Sequence, residues 1–309
     1  VSDGNGSRYA HCISSGQHVR ALMWFCTSPK GGHDCSRRPC KGGTVSDGEE
    51  ELSCGGAEDD CVDGDCADKP CKDFTYTNGE RYNGEWNGDK RHGTGVHSWP
   101  NGSIYQGAFH GDKAHGQGRL EYPSGGAYEG QFKEDRAHGH GSYKHHGQAS
   151  YHGQWEDDRQ HGHGVEAWPD GARFEGQHAR GLKNGKGCLT WVDGSSYTGS
   201  FQDNALHGEG VYRWADGKSY IGQWANGNMS GAGCFTWPDG RVYIGQYAES
   251  RKDGQGELRW PDGRRYEGQW RSGKQHGAGR LVSDHGDQCA GDWEEGQLVN
   301  GTSPPPLVH

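Results

Sequence analysis

A tyrosine followed two positions later by glycine recurs every 23 residues along most of this chain. The ten repeat units begin at Tyr82, Tyr105, Tyr128, Tyr151, Phe174, Tyr197, Tyr220, Tyr243, Tyr266 and Cys289. A fixed period of this length indicates a repeat architecture in which each unit packs mainly on its neighbours. Such a chain presents an extended surface rather than a deep pocket.

Each unit has the pattern of two β-strands. In the first strand the tyrosine at position 1, the glycine at position 3 and an aromatic ring at position 5 alternate, so they share one face. His178 is the only residue at position 5 that is not aromatic. The second strand follows a Gly-x-Gly pair, such as Gly93 and Gly95, and its apolar face ends on a ring such as Trp99.

The connections between these strands carry turn residues. Asn101-Gly102 and equivalent Asp-Gly pairs such as Asp239-Gly240 come between the second strand and the next first strand. This dipeptide is typical of a tight hairpin with positive φ. The sequence therefore predicts the tight turn at this connection, and a looser polar loop, as in residues 87–92, at the other.

We expect an all-β fold, an elongated single-layer solenoid of about ten 23-residue β-hairpin repeats over residues 74–301. Only 29% of the 309 residues are hydrophobic, while 57 are glycine and 12 are tryptophan. Aromatic stacking along the array must therefore replace a conventional core. Residues 302–309 form a Pro-rich terminus.

Segments such as Tyr82-Asn-Gly-Glu-Trp86, followed by His92-Gly-Thr-Gly95, resemble the MORN (membrane occupation and recognition nexus) repeat. The resemblance covers about three-quarters of the chain and implies an array of β-hairpins used as a scaffold or targeting module. Proteins of this kind include ciliary radial-spoke components, cytoskeletal scaffolds, junctional membrane proteins and segments of some phosphoinositide kinases and SET-domain methyltransferases. The fifth unit departs from the pattern at Phe174 and His178, and the tenth, which lacks its tyrosine, resembles a capping repeat.

Residues 1–73 form a different, Cys-rich and acidic segment of low complexity. Eight of the eleven cysteines lie in it, and residues 47–68 contain ten acids and no bases. Such a composition buries too little apolar surface to offset its ordering entropy, so we expect disorder. A zinc site or disulfides around Cys61, Cys66 and Cys71 remain alternatives.

The charge pattern limits the classes of partner. The net charge is −10 and no basic stripe exists, so nucleic acid is excluded as a partner and anionic membranes are disfavoured. No run of about 18 apolar residues is present. Because the chain begins at Val1, a fragment of a larger enzyme such as a phosphoinositide kinase is an alternative.

No catalytic motif emerges from the sequence, and we predict neither enzymatic activity nor a cofactor or metal. The histidines at one repeat position next to glycine, such as His92 and His276, favour a role in loop packing. A denser group between His138 and His178 leaves two further readings open, a transition-metal site and a pH-sensitive contact surface.

The function that these features favour is a non-catalytic scaffold for protein partners, cytoplasmic and associated with a cytoskeletal or ciliary assembly, with homo-oligomers possible. The predicted structural and interaction face consists of Tyr82, Trp86, Trp99, Tyr105, Tyr151, Trp155, Trp168, Trp191, Tyr197, Trp214, Tyr220, Trp224, Trp237, Tyr243, Trp260, Tyr266 and Trp270. A phospholipid-targeting module and a regulatory segment of a larger enzyme are the alternatives.

Overall fold

A computed structural model describes residues 71–145, 147 and 149–301. The predicted disordered segment, Cys61, Cys66 and the Pro-rich terminus therefore lie outside the described residues, except for residues 71–73. The described residues contain 21 strands and no helix. Consequently no helix among them is long and apolar enough to cross a bilayer.

The strands are β1 (Cys71–Thr75), β2 (Arg81–Asn87), β3 (Lys90–Ser98), β4 (Ile104–His110), β5 (Lys113–Glu121), β6 (Gly126–Lys133), β7 (Arg136–His145), β8 (Ser150–Glu156), β9 (Arg159–Ala167), β10 (Arg173–Ala179), β11 (Leu182–Thr190), β12 (Ser196–Gln202), β13 (Ala205–Arg213), β14 (Ser219–Ala225), β15 (Asn228–Thr236), β16 (Val242–Ala248), β17 (Arg251–Arg259), β18 (Arg265–Arg271), β19 (Lys274–Val282), β20 (Gln288–Glu294) and β21 (Gln297–Gly301). Each even-numbered strand contains position 1 of a repeat, which is usually tyrosine. The odd-numbered strands from β3 to β19 contain the Gly-x-Gly pair.

The described residues form two compact parts, one up to Arg136 and one from Ala137. Within the first part, strands β1 to β6 pair antiparallel in sequence order. Within the second part, strands β7 to β21 do the same. The predicted all-β array of two-stranded repeats is confirmed, and its first strand begins at Cys71, three residues before the predicted boundary.

The prediction of which connection is tight is wrong. The two-residue turn lies inside each repeat, between its two strands; Glu249-Ser250 joins β16 to β17, and both residues have positive φ, 47° and 62°. The Asp-Gly pair instead lies in a five-residue connection, where the amide of Trp237 donates to the carbonyl of Arg241 at 2.9 Å. Gly240 has a φ of 91° there. Since both connections require positive φ, the dipeptide alone does not distinguish them.

Each repeat packs its tyrosine ring over its own glycines. The hydroxyl of Tyr243 donates to the carbonyl of Gln246 at 3.1 Å, which folds the ring back along its strand. A Cβ added at Gly245 would lie 2.5 Å from the Tyr243 hydroxyl and 2.5 Å from Cα of Gly256, its partner on β17. Glycine is required at both positions because the ring occupies the space of a side chain.

Within each compact part, the rings at positions 1 and 5 form a continuous series that we call the aromatic ladder. Tyr243 contacts Tyr247 of its own repeat at a centroid distance of 5.3 Å and Trp270 of the next repeat at 5.2 Å, both edge-to-face. This arrangement satisfies the ring quadrupoles, and each such pair contributes about 0.5–1.5 kcal/mol beyond its burial. The ladder therefore joins neighbouring repeats.

The two-residue turns also join neighbouring repeats. The amide of Ser250 donates to the carbonyl of Met229, one repeat earlier, at 3.0 Å. The amide of Met229 donates in return to the Ser250 hydroxyl at 3.1 Å. Equivalent bonds between turn side chains and the preceding repeat involve Asp112, Asp135, Asp158 and Asn204. Polar residues at the turn thus satisfy backbone donors that would otherwise have no partner.

Candidate interaction surface

The aromatic residues of the predicted face lie at two depths. The tyrosines are at most 2% exposed: Tyr82, Tyr105, Tyr151, Tyr197, Tyr220, Tyr243 and Tyr266. The position-5 tryptophans are half-buried at Trp86 and Trp155 and buried at Trp224 and Trp270. The loop tryptophans are all half-buried: Trp99, Trp168, Trp191, Trp214, Trp237 and Trp260. A partner can therefore reach the loop tryptophans, whereas the tyrosines form the interior.

The loop tryptophans lie one residue past the second strand rather than within it. In the sixth and seventh repeats their rings pack on the aromatic residue at position 16 of the repeat. Trp237 lies 4.4 Å from Phe235, and Trp214 lies 5.2 Å from the same ring. Trp214 also lies 4.4 Å from Tyr212, which contacts Trp191 at 5.1 Å. These five rings form a continuous patch across three repeats, which we call the tryptophan surface.

Side chains at position 10 of the repeat pack on the aromatic ladder, and that of Lys252 also reaches Trp237 in the tryptophan surface. In the sixth and seventh repeats they are Leu206 and Met229, both half-buried against the ladder. In the first, fifth and eighth repeats they are cations, Arg91, Lys183 and Lys252. A cation at an apolar position requires compensation for its lost hydration.

Arg91, in the first compact part, is compensated by polar partners. Its Nη1 donates to Nδ1 of His97 at 2.8 Å, and its Nε lies 3.7 Å from a carboxylate oxygen of Asp112. Nε2 of His97 lies 3.2 Å from the carboxylate of Glu80. The pKa of His97 lies below its ordinary value; burial is the main cause, and the charge of Arg91 is the second.

Lys183 is compensated by a carboxylate on the neighbouring repeat. Its Nζ lies 2.6 Å from Glu166, and the two side chains are only 15% and 16% exposed. The ammonium also lies 4.8 Å from the ring of Trp168 and 5.2 Å from that of Phe174. Lys183 is thus held by one ion pair and two cation–π contacts.

Lys252 lies on three rings and has no carboxylate. Its Nζ lies 4.4 Å from the Trp270 ring, 5.2 Å from Tyr243 and 5.3 Å from Trp237. Burial, followed by the nearby charge of Arg241, lowers its pKa to about 8. Among the residues that the structure describes, no acid forms an ion pair with it. The reason is in the sequence, because Phe235 occupies the repeat position that Glu166 occupies beside Lys183.

His178 replaces an aromatic ring within the ladder. It packs edge-to-face at 5.1 Å from both Tyr151 and Phe174 and is 3% exposed. Among the described residues, neither ring nitrogen makes a well-formed hydrogen bond, and the backbone of Gly176 favours the charged form only weakly. Burial, followed by the charge of Lys183, lowers the pKa of His178 to about 4. The residue is therefore a neutral ring at physiological pH, not a charged contact.

The rim of the tryptophan surface carries paired charges. Arg241 lies 5.3 Å from the ring of Trp237 and 2.8 Å from the carboxylate of Asp239. Lys218 and Asp216 pair in the same way at 2.6 Å. The pKa of Asp239 is held below its usual range first by the backbone amide of Arg241 and then by its guanidinium. The pKa of Asp216 is lowered first by the side chain of Lys218 and then by its backbone amide. The loop basic residues are thus largely neutralised within their own loops.

A separate cleft of about 710 Å³ lies in the first part, beside the first strand. Its lining includes Phe74, Tyr76 and Trp86 together with charged side chains. Lys72 lies 5.5 Å from the ring of Phe74, at the repeat position where other units have glycine. No group of three or more histidines, cysteines or acids within the described ranges is arranged to hold a metal ion.

Sequence reasoning missed the lysines at position 10 and the residues facing them. Aligning the repeats shows the signal: position 10 is otherwise small, apolar or an amide except at Arg91, and position 16 holds Glu166 where other repeats have Leu, Tyr, Phe or His. A charge at an otherwise uncharged repeat position identifies the exception. Whether the charge of the position-10 lysine is paired depends on whether position 16 of the preceding repeat is an acid.

Comparisons with known proteins agree with this repeat pattern. A family model described as the MORN repeat matches nine units, residues 82–104, 105–127, 128–145, 151–173, 174–196, 197–219, 220–240, 243–264 and 266–288. No curated protein matches the chain.

Solved structures show only distant likeness. The Drosophila melanogaster SAS-4 TCP domain, solved with a proline-rich motif of Ana2, shares 15% identity over 60% of this chain and 97% of its own, with a TM-score of 0.32. A mutant TCP10 domain of Danio rerio CPAP shares 14% over 75% and 98%, with a TM-score of 0.34. At these scores neither likeness informs function.

Proposed function

Since this chain belongs to the MORN-repeat family, we propose that it is a non-catalytic scaffold that binds protein partners in a cytoplasmic assembly of the cytoskeleton or cilium. The observation that carries the proposal is the tryptophan surface, which displays five half-buried or buried rings across three repeats, and no element in the described part of the chain covers it. Tryptophan and tyrosine supply most of the binding energy at protein interfaces because they bury large areas at little entropic cost.

The charges support a protein partner over a lipid surface. Membrane attraction adds about 1 kcal/mol for each basic residue that faces anionic lipid. The basic residues at the loops are instead paired with acids of the same loop, as Arg264 is with Asp262 at 2.7 Å. A net charge of −10 opposes the same attraction. Aromatic contacts are therefore the stronger source of affinity.

The test compares protein binding with vesicle binding. Partners captured by the full chain are re-tested against variants lacking one whole repeat, such as residues 197–219, because removing 23 residues keeps the strand pattern in register. We expect a specific partner whose binding requires several consecutive repeats and is lost in Trp214→Ala. We also expect negligible co-sedimentation with phosphatidylserine or phosphoinositide vesicles at physiological salt.

The opposite result would support the lipid alternative. Two observations together would overturn the scaffold proposal. The first is salt-sensitive vesicle binding that is abolished by Arg264→Glu combined with Arg271→Glu, and the second is that no protein partner depends on Trp214. Both arginines are exposed, so this double variant changes surface charge and leaves the aromatic ladder in place.

A further inference from the structure

We propose that Lys252 and the adjoining tryptophan surface form a docking site for a peptide segment that carries one acidic side chain beside apolar side chains. The inference rests on the proposed scaffold function and names the chemistry of its partner. The acid would pair with the Lys252 ammonium, and the apolar side chains would cover Leu206, Met229 and the rings of Tyr212 and Phe235.

The first step is the comparison between two equivalent lysines. Lys252 lies three repeats after Lys183, at the same repeat position. Lys183 has Glu166 at 2.6 Å. The residue equivalent to Glu166 beside Lys252 is Phe235, so the same backbone geometry leaves this ammonium without a carboxylate. Lys252 has no acid paired with it within the described ranges, so of the two lysines it is the one positioned to accept an acid.

Second, the unpaired charge of Lys252 is partly desolvated. A half-buried ammonium gives up part of its hydration, and cation–π contacts restore only part of that loss. The lowered pKa of Lys252 reflects this, since burial is its main cause. A carboxylate reaching Nζ in a partly desolvated setting gains more than it would at an open surface.

The third step identifies the charge of the ligand group. Arg241 is the cation that acts on Lys252, and it is already paired with Asp239 at 2.8 Å. The site therefore offers one uncompensated positive charge. A single carboxylate matches this charge, whereas a phosphate or a lipid headgroup requires a cluster of free basic groups.

The fourth step is the size of the apolar contact. Leu206, Met229 and Lys252 occupy one repeat position in three successive repeats. With two strands per repeat at about 4.8 Å each, this row extends for roughly 19 Å. About six residues of extended peptide cover that length. A short linear segment with an acid at one end and apolar residues along it therefore fits the row.

The experiment selects peptides from a random twelve-residue display library on the immobilised full chain and, in parallel, on Lys252→Glu. We expect the parent to enrich peptides with one acidic residue flanked by apolar ones, and Lys252→Glu to lose them. Enriched peptides are then synthesised and titrated against the parent and three variants. Affinity should fall about tenfold or more in Lys252→Met and remain within about threefold in Lys252→Arg, which keeps the charge.

The third variant, Phe235→Glu, tests the charge and the apolar lining together, because Phe235 is one of the rings that the segment would cover, whereas Lys252→Met tests the charge alone. Phe235→Glu recreates the arrangement of Glu166 and Lys183, so an internal carboxylate competes for Lys252, and affinity should again fall about tenfold. Circular dichroism and melting verify that each variant is folded; Met229 at the same repeat position shows that methionine fits there.

The result that overturns the inference is the absence of enriched peptides, or enriched peptides without an acid, or affinity that is indifferent to Lys252→Met. In that case the scaffold proposal is still judged separately by the partner that requires several repeats. If, in addition, no partner required several consecutive repeats, the scaffold proposal and the docking proposal would both be contradicted.

Discussion

The fifth and eighth repeats use the same hairpin with different chemistry. At position 10 both place a lysine on aromatic rings, but Lys183 pairs with Glu166, whereas Phe235 occupies the equivalent repeat position in the case of Lys252. The backbone of the two hairpins is the same in pattern, including the register shift after the first glycine. The comparison teaches that the repeat determines where a side chain lies, while its neighbour one repeat away determines whether its charge is satisfied.

The two repeats also differ within the aromatic ladder. Position 5 is His178 in the fifth repeat and Tyr247 in the eighth, and both are buried between rings. Burial lowers the pKa of His178 but raises that of Tyr247 far above its ordinary value. Both groups are therefore neutral at pH 7, and of the two only His178 acquires a proton as the pH falls towards 4. The following predictions test these contrasts.

The largest expected effect is acid destabilisation through His178. Its pKa is about 4 when folded and 6.5 ordinarily, so the unfolded chain binds a proton first as the pH falls. The stability that the neutral ring contributes is complete above pH 6.5 and is lost as the pH approaches 4, by about 3 kcal/mol. Urea unfolding of the parent and of His178→Phe, compared at pH 7 and pH 4, isolates this loss.

Other groups titrate in the same window, including His97, and the difference between parent and variant removes their contribution. Equal pH dependence in the two proteins would show that His178 is not a buried neutral ring. The eighth repeat provides a matched control, because Tyr247→Phe changes no group that titrates between pH 4 and pH 7.

The next largest effect concerns a feature that the two repeats share, the glycine at position 3 packed against the ring at position 1. A Cβ at Gly176 would lie 2.7 Å from the ring of Phe174, and one at Gly245 would lie 2.5 Å from the Tyr243 hydroxyl; both would also lie within 2.6 Å of a backbone Cα. Gly176→Ala and Gly245→Ala should therefore each lower the free energy of unfolding by about 2–3 kcal/mol.

Gly227→Ala is the control for these variants, since Gly227 has a φ of 81° but no atom within 4 Å of an added Cβ. Backbone strain alone should cost it about 1 kcal/mol. Urea titrations that give all three variants the same loss would contradict the close packing of the tyrosine ring over glycine.

Removing the two lysines should have opposite effects. Lys183→Met leaves Glu166 half-buried without its partner and should cost about 2 kcal/mol. Lys252→Met removes an unpaired ammonium from an apolar position and should raise the free energy of unfolding by about 1 kcal/mol. Thermal and urea unfolding at pH 7 measure both. A similar loss in both variants would mean that the missing carboxylate makes no difference.

The smallest expected effect concerns the hydroxyl at position 1. Tyr243 donates to the Gln246 carbonyl at 3.1 Å, whereas Phe174 has no hydroxyl to donate. Tyr243→Phe should cost about 1 kcal/mol, and Phe174→Tyr should gain up to the same amount. Unfolding measurements on the two single variants test this; a stabilised Tyr243→Phe would show that the hydroxyl does not fold the ring onto its strand.

The fold was predictable because its main constraint is steric and repeats in every unit. Glycine two positions after a tyrosine indicates close packing, and the period of 23 fixes the two-strand pattern. The choice of the tight turn was ambiguous in the sequence, because residues that favour positive φ occur at both connections: Asn226-Gly227 forms a two-residue turn, whereas Asp239-Gly240 lies in a longer loop. Glu249-Ser250 forms the same two-residue turn without glycine or asparagine. Contacts of Ser250 with the preceding repeat stabilise that turn.

The site was less predictable than the fold. Alternation shows that Tyr243 shares a face with other rings, but it does not show that the ring is completely buried. The outer layer consists of the half-buried loop tryptophans, whose depth depends on packing between repeats. Lys252 differs from Lys183 only through a residue on the neighbouring repeat, so the contrast is visible in sequence once the repeats are aligned on the structure.

The central claim is that Lys252 is a half-buried ammonium without a carboxylate, and its own titration tests that claim most directly. The Cε resonance of Lys252, assigned by comparison with Lys252→Arg, is followed by NMR between pH 6 and pH 11. We predict a midpoint at about 8 in the parent and a clear upward shift in Phe235→Glu, where a carboxylate stabilises the charged form. A parent midpoint at the ordinary 10.5 would contradict the account.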